Sequence, residues 1–343
     1  MRVFEEISRG LREGRKLYLA TIIRSSGSVP APLHSRMLVT VDRGPVAKGT
    51  VGGGCLDGAV MRTVAKGLPE GAGVLERFRL DDEFGETEFT CGGSVEILTE
   101  ALTRATLPLF EKLLSETGEG RDCVVLTAIR TDGTTLKSLY RPDGSVVVSA
   151  GSDPDPVATA EIVRSLDPRT TARTTKSETE ERIFEFIESA PPLVIFGGGH
   201  VGRAVALYAA AAGFSVTVVD DRPEFAAREQ FPGARAVVCE RFDTAMERVS
   251  PTGKSYVVIV TRGHRHDEAV LGACMRFSPK YVGMIGSRRK VSLTFGRLEK
   301  EGISKERLAT VHAPIGMPIG ARTAEEIGIS IVAELIAVRR SAG

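Results

Sequence analysis

The fold of the second half of the chain is predicted from one segment, Leu193-Val194-Ile195-Phe196-Gly197-Gly198-Gly199-His200-Val201-Gly202. Four apolar residues predict a short buried strand, and the glycines after it form the pattern G-x-G-x-x-G before an alanine-rich helix. In such a turn Gly197 permits the tight bend, Gly199 lets a diphosphate approach the backbone, and Gly202 lets helix and strand pack closely. The free N–H groups at the helix start, where His200 lies, favour an anionic group.

The pattern around this stretch predicts a doubly wound α/β domain. Apolar strands at 193–196, 215–219, 236–238, 256–260 and 281–285 alternate with helical segments. Alternation of this kind is typical of a parallel sheet with helices on both faces, as in Rossmann-type folds. Asp220 ends the second strand, where an acid that binds a ribose is expected. The fold alone does not identify the ligand, which is NAD(P), another phosphate-bearing molecule, or none.

A histidine-containing loop follows the fourth strand of this half, at the edge where such sheets bind ligands. His264, His266 and Asp267 are metal-ligand types, and His-x-His brings two imidazoles close together. No third and fourth ligand accompany them at a recognised spacing, which favours a plainer interpretation. In it, Asp267 is the N-cap of the next helix and the histidines hydrogen-bond nearby.

A cationic loop follows the fifth strand. Ser287, Arg288 and Arg289 stand at the opening of a helix, where cations oppose the helix dipole unless an anion is bound. The sequence therefore leaves two interpretations open, a phosphate site and a solvated surface cluster.

The first half predicts a smaller α/β domain over residues 1–150. Residues 151–190 are polar and include a low-complexity patch at 170–177, so they are predicted to be a linker region before the Rossmann-type domain at 191–343. No repeat of fixed period is visible in the sequence. We expect ligands to bind in the cleft between the two domains, because ligand sites favour domain interfaces.

Two of the five cysteines lie beside glycines in loops. Cys55 follows Gly53 and Gly54 and begins a helix, whose positive end favours a thiolate. Cys91 precedes Gly92, which lets a bulky partner approach the sulfur. These features favour a functional thiol site over two tight turns with incidental cysteines. The other three cysteines, Cys123, Cys239 and Cys274, adjoin apolar segments and are predicted to be core residues.

The composition excludes several classes of protein. The 343 residues are 42% hydrophobic and 26% charged, which is typical of a globular chain, and their net charge of +1 provides no basic field for nucleic acid. No apolar run approaches the ~20 residues of a membrane span, and early acidic residues do not fit a signal peptide. An odd number of scattered cysteines fits a reducing compartment. A cytoplasmic protein is therefore expected.

Taken together, these motifs resemble the XdhC/CoxI family, the accessory proteins of xanthine dehydrogenase and related molybdenum hydroxylases. In the first half the resemblance rests on residues 20–23, 27–28, 36–39, 49–56 and 91–93. In the second half it rests on the glycine turn with His200 and on residues 216–222, 281–288, 313–316, 319–320, 325–327 and 330–334.

The resemblance implies a small N-terminal domain, a Rossmann-type C-terminal domain and a chaperone rather than a redox enzyme. Family members bind the molybdenum cofactor, protect it while a cysteine desulfurase exchanges an oxo for a sulfido ligand, and deliver it to the apo-hydroxylase. By this resemblance Cys55 and Cys91 are the candidate cofactor-facing thiols. A homo-oligomer, specifically a dimer, is expected.

Three departures from the family pattern surround the thiol loops. Residues 31–35 replace the usual Pro-x-x-Gly-Ala, Asp57 stands where Glu is commoner, and Phe89-Thr90 precedes Cys91 where Gly-Met is usual.

The rival hypotheses are an NAD(P)-dependent oxidoreductase that uses Asp220 and a purely structural assembly subunit. No Tyr-x-x-x-Lys or proton relay supports the oxidoreductase.

Overall fold

The computed structural model describes residues 2–42, 44–80, 93–149, 155–166 and 172–341. The chain divides into two compact units, Met1–Ser189 and Ala190–Gly343. The first unit contains α1 (Arg2–Arg12), β1 (Leu17–Ser26), β2 (Arg36–Thr40), β3 (Val46–Gly49), α2 (Gly54–Lys66), β4 (Gly73–Arg79), β5 (Ser94–Leu102), α3 (Leu107–Gly118), β6 (Cys123–Arg130), β7 (Thr135–Tyr140), β8 (Val146–Ser149), α4 (Pro156–Arg164), β9 (Ala172–Lys176) and β10 (Glu180–Ile187).

These strands form two antiparallel sheets with the same topology. The orders are β3-β2-β1-β5-β4 and β8-β7-β6-β10-β9, and α2 and α4 occupy the same place in the two successions. The first unit therefore contains an internal structural repeat, which the sequence analysis did not find.

Strand register gives the residue correspondence between the two copies. Thr21 of β1 pairs with Arg36 of β2, and Thr127 of β6 pairs with Lys137 of β7. Two positions earlier on β1 and β6, the partners on β5 and β10 are Glu100 and Glu185. Thus each copy places one basic and one acidic residue at matching positions of its three central strands.

Each sheet of the first unit has two buried faces. One face of the first sheet packs on α2 through Leu56, Val60 and Val64, as the four-residue spacing predicts. One face of the second sheet packs on Val163 of α4. The other faces join α1 and α3 in a shared core of Phe4, Ile7, Leu11, Leu17, Leu19, Leu38, Leu102, Leu109, Phe110, Leu113, Cys123, Val125, Leu139 and Ile187.

The segment predicted as a linker, 151–190, contains α4, β9 and β10 instead. β10 pairs with β6 along its whole length and is buried over Ile183–Ile187. Its polar residues misled the prediction because they are ion-paired rather than solvated: Glu181 pairs with Arg24, and Glu185 pairs with Arg36.

The second unit contains β11 (Pro192–Phe196), α5 (His200–Ala211), β12 (Ser215–Asp220), β13 (Ala236–Cys239), α6 (Phe242–Val249), β14 (Tyr256–Ile259), α7 (His264–Cys274), β15 (Tyr281–Met284), α8 (Arg288–Lys300), α9 (Lys305–Leu308) and α10 (Ala324–Ser341). All five strands are parallel, in the order β13-β12-β11-β14-β15. α5 and α10 cover one face, and α6, α7 and α8 cover the other. The predicted doubly wound Rossmann-type fold is confirmed.

α10 begins at a capping box, as its sequence predicts. The Glu326 amide donates to Thr323 Oγ1 at 3.2 Å, and the Thr323 amide donates to Glu326 Oε2 at 3.1 Å. Among the described residues, no helix is long and apolar enough to cross a membrane.

Candidate functional site

The turn between β11 and α5 requires glycine for steric reasons. Gly197 has φ +113°, and a Cβ there would lie 2.4 Å from the Val260 carbonyl oxygen. A Cβ on Gly202 would lie 1.8 Å from the Gly197 oxygen. At Gly199, by contrast, a Cβ would meet nothing within 4 Å. The turn is thus closed on its protein side and open at Gly199, beside the exposed His200.

Gly198 has a role that the sequence analysis missed. A Cβ there would lie 2.1 Å from the Phe225 carbonyl oxygen, so the loop after β12 packs directly on the turn. The Gly198 amide donates to Asp220 Oδ2 at 2.8 Å. The x in a G-x-G pattern gives no signal for such a contact, because it depends on a loop more than twenty residues away.

Asp220 lies beneath the turn with its side chain 1% exposed. Its carboxylate accepts from the Gly198 amide and three times from Arg222: the amide at 3.1 Å, Nε at 3.0 Å and Nη2 at 3.2 Å. Four donors match the roughly four lone-pair directions of a carboxylate. The side chain predicted to bind a ribose therefore binds the protein itself, and the Arg222 guanidinium lies 3.7 Å from the Phe225 ring centroid.

A second ion pair joins two loops at the carboxyl edge of the sheet. Arg262, after β14, makes a two-point contact with Asp221, after β12, with Nη2–Oδ2 at 2.8 Å. The hydrogen bonds from Arg262 hold the pKa of Asp221 below its usual value. The sequence gives no signal for this role of Arg262, because its pairing with Asp221 spans two crossovers.

The histidine loop takes neither of its predicted forms in full. Gly263, not Asp267, is the N-cap of α7. Asp267 is fully buried in the first turn, where Oδ1 accepts from the amide and hydroxyl of Thr261 at 3.1 and 2.6 Å, and Oδ2 pairs with Lys290. His264 is exposed, and His266 packs edge-on against Phe242 with centroids 5.5 Å apart. Within the described ranges, no three His, Cys, Asp or Glu side chains are grouped to hold a metal ion.

The cationic loop begins α8. Ser287 is the N-cap, and its hydroxyl accepts from the Lys290 amide at 3.3 Å. Arg288 and Arg289 are exposed, and neither forms a hydrogen bond or ion pair with the described part of the chain. A groove of about 450 Å³ lies beside them, lined by His264, Ser287, Arg289, Lys290, Leu293, Thr294 and Arg297. An anion could be held here by the unpaired guanidinium groups.

In the first unit, the thiol loop Gly49–Cys55 presents Cys55 at the start of α2. Gly52, Gly53 and Gly54 all have left-handed backbone, with φ +129°, +74° and +46°. A Cβ on Gly53 or Gly54 would meet nothing within 4 Å, and the Cys55 side chain is half-buried. Only glycine adopts three left-handed backbone conformations in succession at a low energetic cost. The space above the loop is therefore open beside a soft sulfur atom.

Loop 26–30 links the thiol loop to the base of the second predicted thiol site. A Cβ on Gly52 would lie 2.9 Å from Pro30, and a Cβ on Gly93 would lie 2.3 Å from the Ser28 carbonyl oxygen. The Leu80 amide donates to the Gly93 oxygen at 2.8 Å. Cys91 and Gly92 themselves lie outside the described residues.

The remaining cysteines divide differently from the prediction. Cys123 and Cys274 are buried in the core, and burial raises the pKa of the two thiols to about 11 and about 12. Cys239 is exposed, so its assignment to the core was wrong. It ends β13, an edge strand that pairs within the described sheet only with β12.

The site residues supply two kinds of chemistry, one in each unit. Cys55 offers a soft sulfur in an open loop, which suits a thiophilic metal. The start of α5 offers backbone N–H groups, and Arg288 and Arg289 offer cations that have no ion pair among the described residues; both suit phosphate. The molybdenum cofactor contains both a thiophilic metal and a phosphate, so each unit taken by itself contains donors that suit one part of it.

Comparisons with known proteins point to one family for both units. The XdhC Rossmann domain model matches residues 193–335, and the XdhC and CoxI family model matches residues 10–79. A probable xanthine dehydrogenase subunit of Bacillus subtilis strain 168 is 24% identical over 333 residues, which are 96% of this chain and 95% of that protein. The molybdenum cofactor insertion chaperone PaoD of Escherichia coli K12 is 24% identical over 332 residues, 96% of this chain and 85% of PaoD.

A further relative and a solved structure complete the comparison. The uncharacterized protein YqeB of Escherichia coli K12 is 37% identical over 153 residues, which are 44% of this chain but only 28% of that protein. The crystal structure of a xanthine dehydrogenase from Bacillus halodurans has the same fold, with a TM-score of 0.80 and 22% identity over 99% of this chain and 96% of that one. The chain belongs to the XdhC and CoxI family, and its second unit is the XdhC Rossmann domain.

Proposed function

We propose that the chain is a molybdenum cofactor chaperone that acts in the cytoplasm. It binds the cofactor, holds it while a cysteine desulfurase supplies the sulfido ligand, and delivers it to an apo molybdenum hydroxylase of the xanthine dehydrogenase type. The names of two relatives that match nearly the whole chain support this assignment. The observation that carries it is the half-buried Cys55 in an open loop of left-handed glycines.

The chain has one set of donors that suits a thiophilic metal and another that suits a phosphate. Cys55 would hold the molybdenum end of the cofactor through its sulfur, and the absent side chains of Gly53 and Gly54 would leave room for the bulky group. The second unit has donors that suit a phosphate, namely the N–H groups at the start of α5 and the Arg288 and Arg289 guanidinium groups.

The geometry of Asp220 disfavours the rival oxidoreductase. Its buried carboxylate already accepts four hydrogen bonds from Gly198 and Arg222, so a ribose hydroxyl has no free oxygen lone pair to reach. NAD(P) binding in the usual manner would require this network to break.

The experiment is a titration of the full chain with isolated molybdenum cofactor, with NAD and NADP as controls. We expect micromolar or tighter binding that Cys55→Ala or Cys91→Ala weakens at least tenfold. Cys239→Ala is the matched control, because this exposed thiol lies in neither glycine loop. Nicotinamide binding without molybdenum cofactor binding would overturn the proposal. Failure to bind either, with tight binding to the hydroxylase, would favour an assembly subunit.

A further inference from the structure

The glycines of the thiol loop wrap around a side chain of the chain itself. Asp57 Oδ1 accepts from the Val51 amide at 2.9 Å and from the Gly53 amide at 3.3 Å. The Thr50 hydroxyl accepts from the Gly52 and Gly53 amides at 3.0 and 2.7 Å and donates to Asp57 Oδ2 at 2.8 Å. All three consecutive amides, 51 to 53, therefore point towards Asp57 and Thr50.

Successive backbone N–H groups in such a turn form a concave site for an anion. In phosphate-binding loops the anion comes from the ligand, whereas here the Asp57 carboxylate occupies the concavity. Because Asp57 stands in the first turn of α2, its charge also offsets the positive end of that helix. The loop that carries Cys55 is thus electrostatically satisfied before any ligand arrives.

We propose that Asp57, held by Thr50, is a positioning residue that fixes the Cys55 sulfur and excludes anions from the thiol loop. This inference rests on the proposed function, and it concerns which end of the molybdenum cofactor faces the thiol loop. The thiol loop would therefore accept the metal end of the cofactor rather than its phosphate end, because the Asp57 carboxylate repels a phosphate there. Asp57 does not contact the reacting atoms; it acts through the loop.

The test compares a neutral and an anionic reagent at Cys55, and it requires no cofactor. The rates of alkylation by iodoacetamide and iodoacetate are measured by mass spectrometry on the full chain carrying Cys91→Ala and Cys239→Ala. Asp57→Asn keeps the shape of the side chain and removes its charge. We expect it to raise the iodoacetate rate relative to the iodoacetamide rate about threefold or more, as a nearby charge in a partly solvated site predicts.

Two further variants separate positioning from a general effect on folding. Thr50→Val removes the hydroxyl that binds two loop amides, so both alkylation rates should rise together, and Thr50→Ser should restore them. Asp57→Ala empties the concavity, and millimolar inorganic phosphate should then slow iodoacetamide alkylation of Cys55, whereas it should not do so in the parent chain.

An unchanged ratio of the two rates in Asp57→Asn, with parental thermal unfolding, would overturn the inference. So would phosphate protection of Cys55 in the parent chain, because that result would make the loop an anion site. Neither outcome depends on cofactor binding, so a failure of this inference can be distinguished from a failure of the proposed function.

Discussion

Gly199 and Gly202 stand three residues apart in one motif but serve different purposes. The carbonyl oxygen of Gly197 leaves no room for a side chain at Gly202, whereas Gly199 faces open space with an ordinary φ of −69°. Gly202 therefore serves folding, and Gly199 keeps the mouth of the turn clear.

We expect Gly199→Ala to leave the free energy of unfolding within about 0.5 kcal/mol of the parent, as for a surface substitution. Gly202→Ala should cost about 3 kcal/mol or more, because helix and strand must separate. Urea unfolding of the two variants provides the comparison. If Gly202→Ala unfolds like the parent, the tight packing at this turn is contradicted.

Asp220 marks where residue-level prediction from sequence ends. Its place at the end of β12 was predictable from the strand pattern, but the direction of its carboxylate was not. That direction depends on Arg222 and on the Gly198 amide, which the fold brings together from two loops. A motif specifies the residue type at a position, and the tertiary contacts decide what the side chain binds.

Glu185 makes the stability of the first unit depend on acid pH. Burial alone would raise its pKa, but the charge of Arg36 and the hydrogen bond from His34 lower it to about 2. In the unfolded chain a glutamate titrates near pH 4.3. The carboxylate therefore stabilises the fold fully above pH 4.3, and this contribution is lost as the pH falls towards 2.

Between pH 6 and pH 2, we expect Glu185→Gln to show a smaller loss of stability than the parent, by about 2 to 3 kcal/mol. Thermal unfolding across this range measures the difference. Glu161→Gln, at an exposed position of α4, is the control and should follow the parent curve. Parallel curves for the parent and Glu185→Gln would contradict the ion-pair assignment.

At the level of the secondary-structure elements, two reciprocal ion pairs join the two copies in the first unit. Lys137 of the second copy pairs with Glu100 of the first at 2.9 Å, and Arg36 of the first pairs with Glu185 of the second at 2.7 Å. Since these are matching positions, the same contact is made twice with the copies interchanged. Breaking a buried pair of this kind by removing one partner is strongly destabilising, because the remaining charge is left uncompensated.

We expect Lys137→Met alone to destabilise the first unit by about 3 to 5 kcal/mol, because it leaves the buried Glu100 without a counter-charge. The double variant Lys137→Met with Glu100→Leu should recover most of that loss. A double-mutant cycle by urea unfolding tests both statements. Additive losses would indicate that the two side chains do not act as a pair.

The repeat of elements could not be predicted from the sequence, because the spacing between matching residues is not constant. Cys123 takes the place of Leu17, yet Ile187 takes the place of Leu102, so the spacing between matching residues shrinks along the chain. A search for a fixed period misses such a repeat. β10 was missed as well, because its buried glutamates are ion-paired and resemble a solvated segment in sequence.

At the scale of the whole molecule, the second half was predictable and the first was only partly so. Parallel strands buried on both faces are continuous apolar runs, and α-helices follow most of them. The antiparallel sheets of the first unit carry charges on a buried face, which weakens their pattern. The family was recognised because its motifs lie in loops that local sequence determines.

The duplicated architecture of the first unit has a consequence for stoichiometry. Between β8 and α4, where the second copy would carry its own thiol loop, the sequence has no cysteine, and Asp155 caps α4 by accepting from the Ala158 amide at 3.0 Å. The β9–β10 connection also lacks a cysteine. Under the proposed function, only the first copy therefore supplies cysteines for the cofactor. Titration should therefore saturate at one cofactor per chain rather than two.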